Sequence, residues 1–370
     1  MQIERHTGFN GLRKALSMNP DELIELIKNS GLTGRGGAHF PTWKKLSLAR
    51  SSQGEKIVVC DAEESEPGTF KDRFILEKNP LIVVEGIAIA SHIIEARQAI
   101  IYLRGEYSFL EEGIKKAIEE YNKLFGDINI HLVISGGGYI CGEETAILNS
   151  LEGKRPNPRN KPPFPVEKGY MDKPTLVNNV ETLAMLPLII LGDYAPDLRL
   201  FSISGNVEKP GVYEARLGIT LGELIARAKP IGNPRAVLLG ASGGVLRYDP
   251  NLVLTMDNIE RLGGMLGMNT LIIINDEQDL LQVFKHIAEF FVHESCGLCT
   301  PCREGNPRIV DIMEKIIDGT ATSRDISLLE RLAKYIADTS MCGLGKASTK
   351  WLLTALKYFP EVFSNAKSNN

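Results

Sequence analysis

The chain has 370 residues, of which 43% are hydrophobic, and a formal net charge of −4. That length predicts about two or three domains, and the apolar fraction is enough to fill several cores. The acidic balance, with an isoelectric point near 6.0, argues against a nucleic-acid binder, which usually carries a basic stripe.

The opening residues MQIERHTGFNG have no apolar core of a signal peptide. Asn19-Pro20-Asp21-Glu22 then reads as a helix start, with a cap, a proline in the first turn and acids after it. That helix should end before Gly31, where a glycine-rich loop begins. Lys56 to Cys60 is an apolar run of strand length. The longest apolar stretch, Leu81 to Ile94, is interrupted by Glu85 and His92. It is too short to cross a bilayer, so it predicts a buried helix and no direct membrane insertion. A strand at Gln98 to Leu103, an amphipathic helix from about Tyr107 to Leu124 and a strand at Ile130 to Ile134 follow. This alternation implies a mainly parallel sheet. Residues 153 to 174, rich in Pro, Gly, Lys and Arg, read as a long functional loop. From about residue 199 the order becomes strand, turn, strand, helix, with further strands near Ala236 to Leu239 and Thr270 to Asn275. From Gln278 onward the spacing is helical.

Several segments carry chemistry. The loop Gly34-Arg35-Gly36-Gly37 suits phosphate, because glycines expose backbone N–H groups, and Arg35 and Lys45 add charge. A glycine loop by itself is also an ordinary tight turn. Asp61 to Glu66, with Glu63, Glu64 and Ser65 between, places four acids at a strand end, where open α/β sheets bind ligands. Carboxylates there accept hydrogen bonds from ribityl or ribose hydroxyls. The triglycine Gly136-Gly137-Gly138 leads into Tyr139, Gly142, Glu143 and Glu144, a second strand-to-helix junction where a flat cofactor can lie on bare backbone. Lys161 and Phe164 offer a cation and a ring for a purine, or are part of an ordinary proline-rich linker; the amides of Asn178 and Asn179 can read a flavin edge, and a helix cap plus a solvated Asn explains them equally well. Cys60 and Cys141 read as small core residues, and His39 and His293 as surface or loop histidines.

The most specific signal comes last. Cys296, Cys299 and Cys302 lie in ESCGLCTPCREG, and Cys342 follows 40 residues later. Two-residue gaps let one loop wrap three corners of a cubane while the fourth thiolate arrives from elsewhere. A structural zinc site more often shows two separated C-x2-C pairs. Pro301 is expected to hold Thr300 extended, which argues against a continuous helix through the loop. Six cysteines, four of them in this pattern, fit a reducing compartment better than a disulfide framework.

Together these motifs resemble the flavin subunit of NADH-quinone oxidoreductase (complex I). The same module occurs in NAD-linked hydrogenases, formate dehydrogenases and electron-bifurcating enzymes. GRGGAHFPT, DAEESEPGTFKDR, GGGYICGEETAILNSLEGKRP, NKPPFP, PTLVNNVETLA, FSISGNVEKPGVYE and the cysteine segment stand in the family order. The resemblance implies three domains: an FMN- and NAD-binding α/β domain over 1–196, a ubiquitin-like β-grasp (SLBB) domain over 197–276, and a helical [4Fe-4S] domain over 277–370. It places Gly34, Gly36, Lys45, Glu63, Glu64, Tyr139, Gly142, Glu143, Asn178, Asn179 and Thr182 around FMN. It turns Glu66, Glu144, Lys161, Phe40 and Phe164 toward NAD(H). The implied activity is hydride transfer between NAD(P)H and FMN, with single electrons relayed through the cluster and no side chain acting as acid or base. The chain departs from the family at Asp61 and Glu63, where Asn and Asp are usual. It departs again at His39, which stands for a glycine, and at Leu48, where relatives often have an aromatic residue. With no thioredoxin-like or ferredoxin segment in this sequence, a thioredoxin-like [2Fe-2S] subunit and further iron–sulfur or catalytic subunits are the expected partners. The expected location is cytoplasmic, or peripheral on a membrane complex. A cluster-bearing relay that has lost its nucleotide site, and a soluble-ligand-binding protein acting through its β-grasp domain, remain as alternatives.

Overall fold

The computed structural model describes residues 1–364. The chain forms two compact units, one of residues 1–65 and 70–198, the other of 66–69 and the chain from Arg199.

In the first unit, β1 (Ile57–Ala62), β2 (Gln98–Leu103), β3 (Asn129–Ile134) and β4 (Thr175–Asn179) make a sheet in the order β3-β2-β1-β4. Every pair is parallel. Asp61 stands opposite both Tyr102 and Asn179, and Leu103 stands opposite Ala62 and Ile134. The four strands therefore end level, and their carboxyl edge gathers the loops in which the sequence motifs lie. β1 is buried along almost its whole length, as a strand covered on both faces must be.

The apolar stretch is the core helix Pro80–Ile94. Asn79 caps it by accepting from the Ile82 amide, and Glu95, at φ 62°, ends it in the left-handed region. The helix is apolar nearly all round because it is surrounded. At Gly86 a Cβ would fall 2.1 Å from the Leu183 carbonyl, so only glycine lets it cross the helix Val180–Leu191 so closely. Glu85, buried within it, accepts from the Leu12 amide at 2.8 Å and pairs with His6, tying down the N-terminal segment. The expected helix over 107–124 begins instead as a 3-10 turn, Gly105–Leu110, and becomes α-helical over Glu111–Leu124.

In the second unit, β5 (Leu198–Gly205), β6 (Gly211–Arg216), β7 (Pro234–Leu238), β8 (Val245–Arg247) and β9 (Thr270–Asn275) are ordered β6-β5-β9-β7-β8. β5 and β9 are parallel, and β7 runs antiparallel to both β8 and β9. Phe201, Ile203, Val237, Leu271 and Ile273 pack against Leu221, Leu224 and Ile225 of the helix Leu221–Ala228. That is a β-grasp arrangement, and fully burying each such side chain contributes roughly 1.5–3 kcal/mol. Residues 66–69 belong here: Thr69 bonds Thr270, and Gly68, at φ 79°, leaves no room for a Cβ beside Ile272.

The remainder of this unit is helical, with Leu280–Glu294, Thr300–Ile317, Ser323–Thr339 and Lys350–Tyr358 as its main members. Phe284 is the aromatic centre, stacked on Phe363 at 6.0 Å and tilted against Trp351 at 5.9 Å. One expectation fails here. Thr300 is not extended; it is the first residue of an α-helix, and Pro301 occupies the first turn. A proline costs nothing where the amide would lack a partner anyway. The extended residue is Cys299, the N-cap, at φ −96° and ψ 137°.

Candidate functional site

The glycine loop is closed on itself and stitched to the sheet edge. Gly34 donates its amide to the Phe40 carbonyl at 2.9 Å, and Thr33 bridges Pro41. Gly37 has φ 108°, and His39, at φ 52°, holds a left-handed conformation that disfavours a non-glycine residue. The Arg35 amide donates to Thr182 Oγ1 at 2.8 Å, fastening the loop to the first turn of Val180–Leu191. The Arg35 side chain is turned inward, donating to Tyr194 Oη at 3.0 Å and lying 3.8 Å from Glu181. Its charge is thus held within the fold rather than offered at the loop surface. Gly36 faces Asn179, whose Cβ would lie 3.2 Å from an added Cβ.

The acids of DAEESE are placed differently from one another. Glu64 is buried and spends both oxygens inside the fold, accepting from the Asp72 and Arg73 amides at 2.8 and 2.9 Å and from Tyr107 Oη at 3.2 Å. Burial, then the charge of Asp72, pushes its carboxyl up to about 7. Glu63, also buried, accepts from Ser135 at the end of β3. Ser65 is half-buried in the turn. Glu66 lies in the second unit, where its carboxylate accepts from the Ser242 amide at 2.8 Å; a Cβ on Gly240 would approach it to 2.6 Å.

Asp61, half-buried at the end of β1, accepts from the Glu63 amide at 3.1 Å. Burial, joined by the nearby charges of Asp72 and Glu63, drives its carboxyl up to about 8, against the Glu63 amide hydrogen bond and the weaker pull of Lys45. Below about pH 4 the folded and unfolded chains both hold this proton. As pH rises toward 8 only the unfolded chain gives it up, so stability falls across that window. In the flavin-free protein, Asp61→Asn is expected to raise stability at pH 8 by about 2 kcal/mol, discounted for partial exposure. Below pH 4 it should change nothing. Denaturant unfolding at both pH values checks this.

Tyr139–Gly142 is a 3-10 turn leading to the helix Glu144–Leu151. Glu143 caps that helix by accepting from the Thr145 and Ala146 amides, both at 2.9 Å. Gly142 faces the Glu63 carbonyl, which a Cβ would approach to 3.4 Å. Lys161 bonds Glu143 at 3.0 Å and Glu144 at 2.7 Å, and Lys45 bonds Glu144 at 2.9 Å and the Val177 carbonyl at 2.7 Å. Burial works against ionised Glu144, but the two lysines outweigh it and hold its carboxyl down to about 2. Phe40 and Phe164 are exposed rings, free of the hydrophobic core.

These residues fit a flavin phosphate ester in three respects. The Asn178 Nδ2, in a residue only 7% exposed, has no partner. A buried amide donor without an acceptor is costly, and a flavin edge supplies acceptors. Side-chain-free backbone lies at Gly36, where a Cβ would crowd Asn179, and at Gly142, where it would touch the Glu63 carbonyl. The loops at 34–37, 61–65 and 136–143 and the start of Val180–Leu191 meet at one sheet edge.

The cysteine site is built by two elements of the second unit. Cys302 sits in the first turn of Thr300–Ile317, and Cys342 is the N-cap of the short helix Gly343–Ala347. Gly345 of that helix packs against Cys302, whose Cβ would lie 3.4 Å from an added Cβ. Gly297, at φ 73°, turns the chain between Cys296 and Cys299. Burial, opposed by the Ser295 hydrogen bond and joined by the charges of Cys299 and Cys296, pushes the Cys302 thiol up. A thiolate there is therefore favoured by a bound cation. Among the described residues no three His, Cys, Asp or Glu side chains converge on a single-ion site. A cubane is gripped at separate corners and needs no such convergence. Two residues beside the cysteines also reach this site, Ser295 within the cysteine segment and Asn306 just beyond it. Asn306 Nδ2 donates to Cys302 Sγ at 3.3 Å, and Ser295 Oγ lies 3.3 Å from the same sulfur. Such donors raise a cluster's potential. Asn306 was findable, since it lies one helical turn beyond Cys302.

Residues 27–188 match the family model described as Nuo51 FMN-binding domain, 200–228 an SLBB domain, and 282–366 an NADH-ubiquinone oxidoreductase-F iron-sulfur binding region. The chain is 42% identical to an NADH-quinone oxidoreductase subunit of Aquifex aeolicus, covering 98% of this chain and 90% of the relative. It is 39% identical to the NAD-reducing hydrogenase HoxS subunit alpha of Cupriavidus necator, covering 96% of this chain and 62% of the relative. Its fold matches a chain in the crystal structure of an NAD+-reducing [NiFe]-hydrogenase in the H2-reduced state with a TM-score of 0.92 at 34% identity. That match covers 99% of this chain but only 66% of the hydrogenase chain.

Proposed function

This chain belongs to the family of FMN- and iron–sulfur-binding NADH-quinone oxidoreductase subunits, and from that premise we propose how its residues divide the work of an NADH oxidoreductase subunit that depends on FMN and a [4Fe-4S] cluster. When bound, FMN supplies the hydride acceptor for NADH and the step from electron pairs to single electrons, and the cluster supplies the exit. The cofactors carry the chemistry; the protein binds, orients and tunes them.

Gly34, Gly36 and Gly37 would present backbone to the flavin phosphate, and Lys45 would add a side-chain cation. Asp61, Glu63, Glu64 and Ser65, with Tyr139, Gly142 and Glu143, line the flavin from the β1 and β3 ends. Asn178, Asn179 and Thr182 meet it from β4 and the helix that follows, and Arg35 holds the glycine loop from within. Phe40 and Phe164 stack on the dinucleotide, and Glu66, Glu144 and Lys161 address its polar groups. Cys296, Cys299, Cys302 and Cys342 hold the cluster. No group here needs to move a proton. The division into 1–196, 197–276 and 277–370 assigns one cofactor task to each end of the chain and the β-grasp to the middle.

The observation that carries this reading is the joint presence of the unpartnered Asn178 amide and side-chain-free Gly36 and Gly142 at one edge of a parallel sheet. Reconstituted anaerobically, the full chain should contain about one FMN and about four irons, given one cluster of this type. Stoichiometric zinc without iron would refute the cluster assignment.

Known relatives are subunits of multisubunit redox complexes. A thioredoxin-like [2Fe-2S] subunit is the proposed electron acceptor, with further iron–sulfur or catalytic subunits beyond it. No helix among the described residues is long and apolar enough to cross a membrane. Cytoplasmic residence, free or on the periphery of a membrane complex, is the location we propose.

Glu66 makes the nucleotide preference testable. Its carboxylate is fixed by the Ser242 amide. A fixed carboxylate near the adenosine ribose accepts hydroxyl hydrogen bonds and repels the 2′-phosphate of NADPH. One unit-charge pair at about 4 Å costs about 1 kcal/mol in bulk water and about 4 at an effective dielectric near 20. NADH should therefore be preferred by roughly fivefold to almost a thousandfold. Glu66→Gln is expected to narrow that ratio, chiefly by improving NADPH use. kcat/KM for both nucleotides at matched ionic strength checks it; an unchanged ratio would move Glu66 away from the ribose.

A further inference from the structure

Beneath Asn179 lies a charged network that no step of the electron path uses. Lys71, Asp72 and Glu181 are all at most 1% exposed. Lys71 Nζ donates to Asp72 Oδ1 at 2.6 Å, stands 3.1 Å from Glu181 Oε2, and reaches Asn179 Oδ1 at 3.5 Å. Asp72 Oδ2 accepts from Asn179 Nδ2 at 2.6 Å. Burying so many charges is expensive, and apolar residues of the same size would often stabilise a fold as well.

Helix capping does not account for this network. Asn179 caps Val180–Leu191 through its Oδ1, which accepts from the Glu181 amide at 3.0 Å. Capping leaves the amide nitrogen unused. Here Asp72 seizes that nitrogen, and Lys71 holds the oxygen from the same side. The amide is thereby locked in one orientation, with its carbonyl turned inward. An asparagine amide has two hydrogens. Asp72 takes one, and no group among the described residues accepts the other. Gly36, on the loop assigned to the flavin phosphate, packs directly on the Asn179 side chain.

We propose that Asp72 and Lys71 are positioning residues for the flavin site: they fix the Asn179 amide so that one N–H is held ready for the cofactor, and they act on FMN through that amide alone. The inference rests on the placing of FMN at the β1–β4 edge. Neither residue touches the cofactor, so both differ in kind from the residues that line it.

The test is a double-mutant cycle on the full-length protein, reading FMN dissociation constants by flavin fluorescence in the flavin-free, cluster-loaded form. Unfolding of each flavin-free variant serves as the control for stability. Asp72→Asn is expected to weaken FMN binding about tenfold, the worth of one charge-assisted hydrogen bond. In an Asn179→Ala background the same change should weaken it by less than about threefold, because its route is gone. Equal weakening in both backgrounds would overturn the proposal, since a fold-level effect does not depend on Asn179. An unchanged affinity in Asp72→Asn alone would overturn it too. Should Asp72→Asn fail to fold, Asp72→Glu carries the same cycle, since it keeps the ion pair to Lys71 and displaces the acceptor from Asn179. A wild-type chain that binds no FMN would overturn the cofactor assignment itself, a result distinct from any of these.

Discussion

Replacing Cys342 by alanine is expected to strip the cluster from the chain and drop electron delivery to a partner subunit to background. NADH-dependent reduction of a small artificial acceptor should survive. In the proposed site three corners come from one segment, Cys296 to Cys302, and the fourth from the N-cap of Gly343–Ala347. The two are clamped together where Gly345 packs on Cys302. Removing the fourth thiolate leaves a corner open with no spare cysteine to fill it, because Cys60 and Cys141 are buried in the other unit. A small acceptor takes electrons from the flavin directly and has no need of the cluster. Iron analysis and both activities, measured on one preparation, check this. Normal delivery to the partner by a cluster-free variant would refute the electron order.

Gly36→Val is expected to weaken FMN binding by about ten- to a hundredfold, the cost of overpacking a tight site. A Cβ there meets Asn179 at 3.2 Å, a contact that forces the neighbour to give, and the valine methyls extend beyond it. Asn179 cannot give easily, because Asp72, Lys71 and the Glu181 amide hold both ends of its amide. The loop must shift instead, and it is tied by the Arg35 amide to Thr182. The cluster, in the other unit, should be retained. Full flavin occupancy in this variant would mean that the flavin lies elsewhere.

Much of this architecture could be read from the amino-acid sequence, for identifiable reasons. β1 announces itself as an apolar run, and Pro80–Ile94 as an apolar stretch too short for a membrane and too long for a strand. The three-cysteine segment has a spacing that few other chemistries use. The failures are of two kinds. One is local: the restriction on a residue before proline is a preference, and at Thr300 the first turn of a helix overrides it. The other is tertiary. Nothing in the order KDR shows that Lys71 and Asp72 are buried whereas Arg73 is not, since that follows from the packing of Lys71–Lys78 against Val180–Leu191. Arg35 was expected to add charge for a phosphate at the glycine loop; its direction is set by Tyr194 and Glu181, far away in the sequence. The Asn306 bond to Cys302 was within reach of helical periodicity.

The most direct test of the electron path is an anaerobic titration of the FMN- and cluster-loaded chain with NADH, followed in the flavin absorbance band. NADH should bleach the band, and admitting an electron acceptor should restore it. A chain that holds its flavin yet shows no bleaching with excess NADH would contradict the central claim that this subunit passes electrons from the dinucleotide to bound FMN.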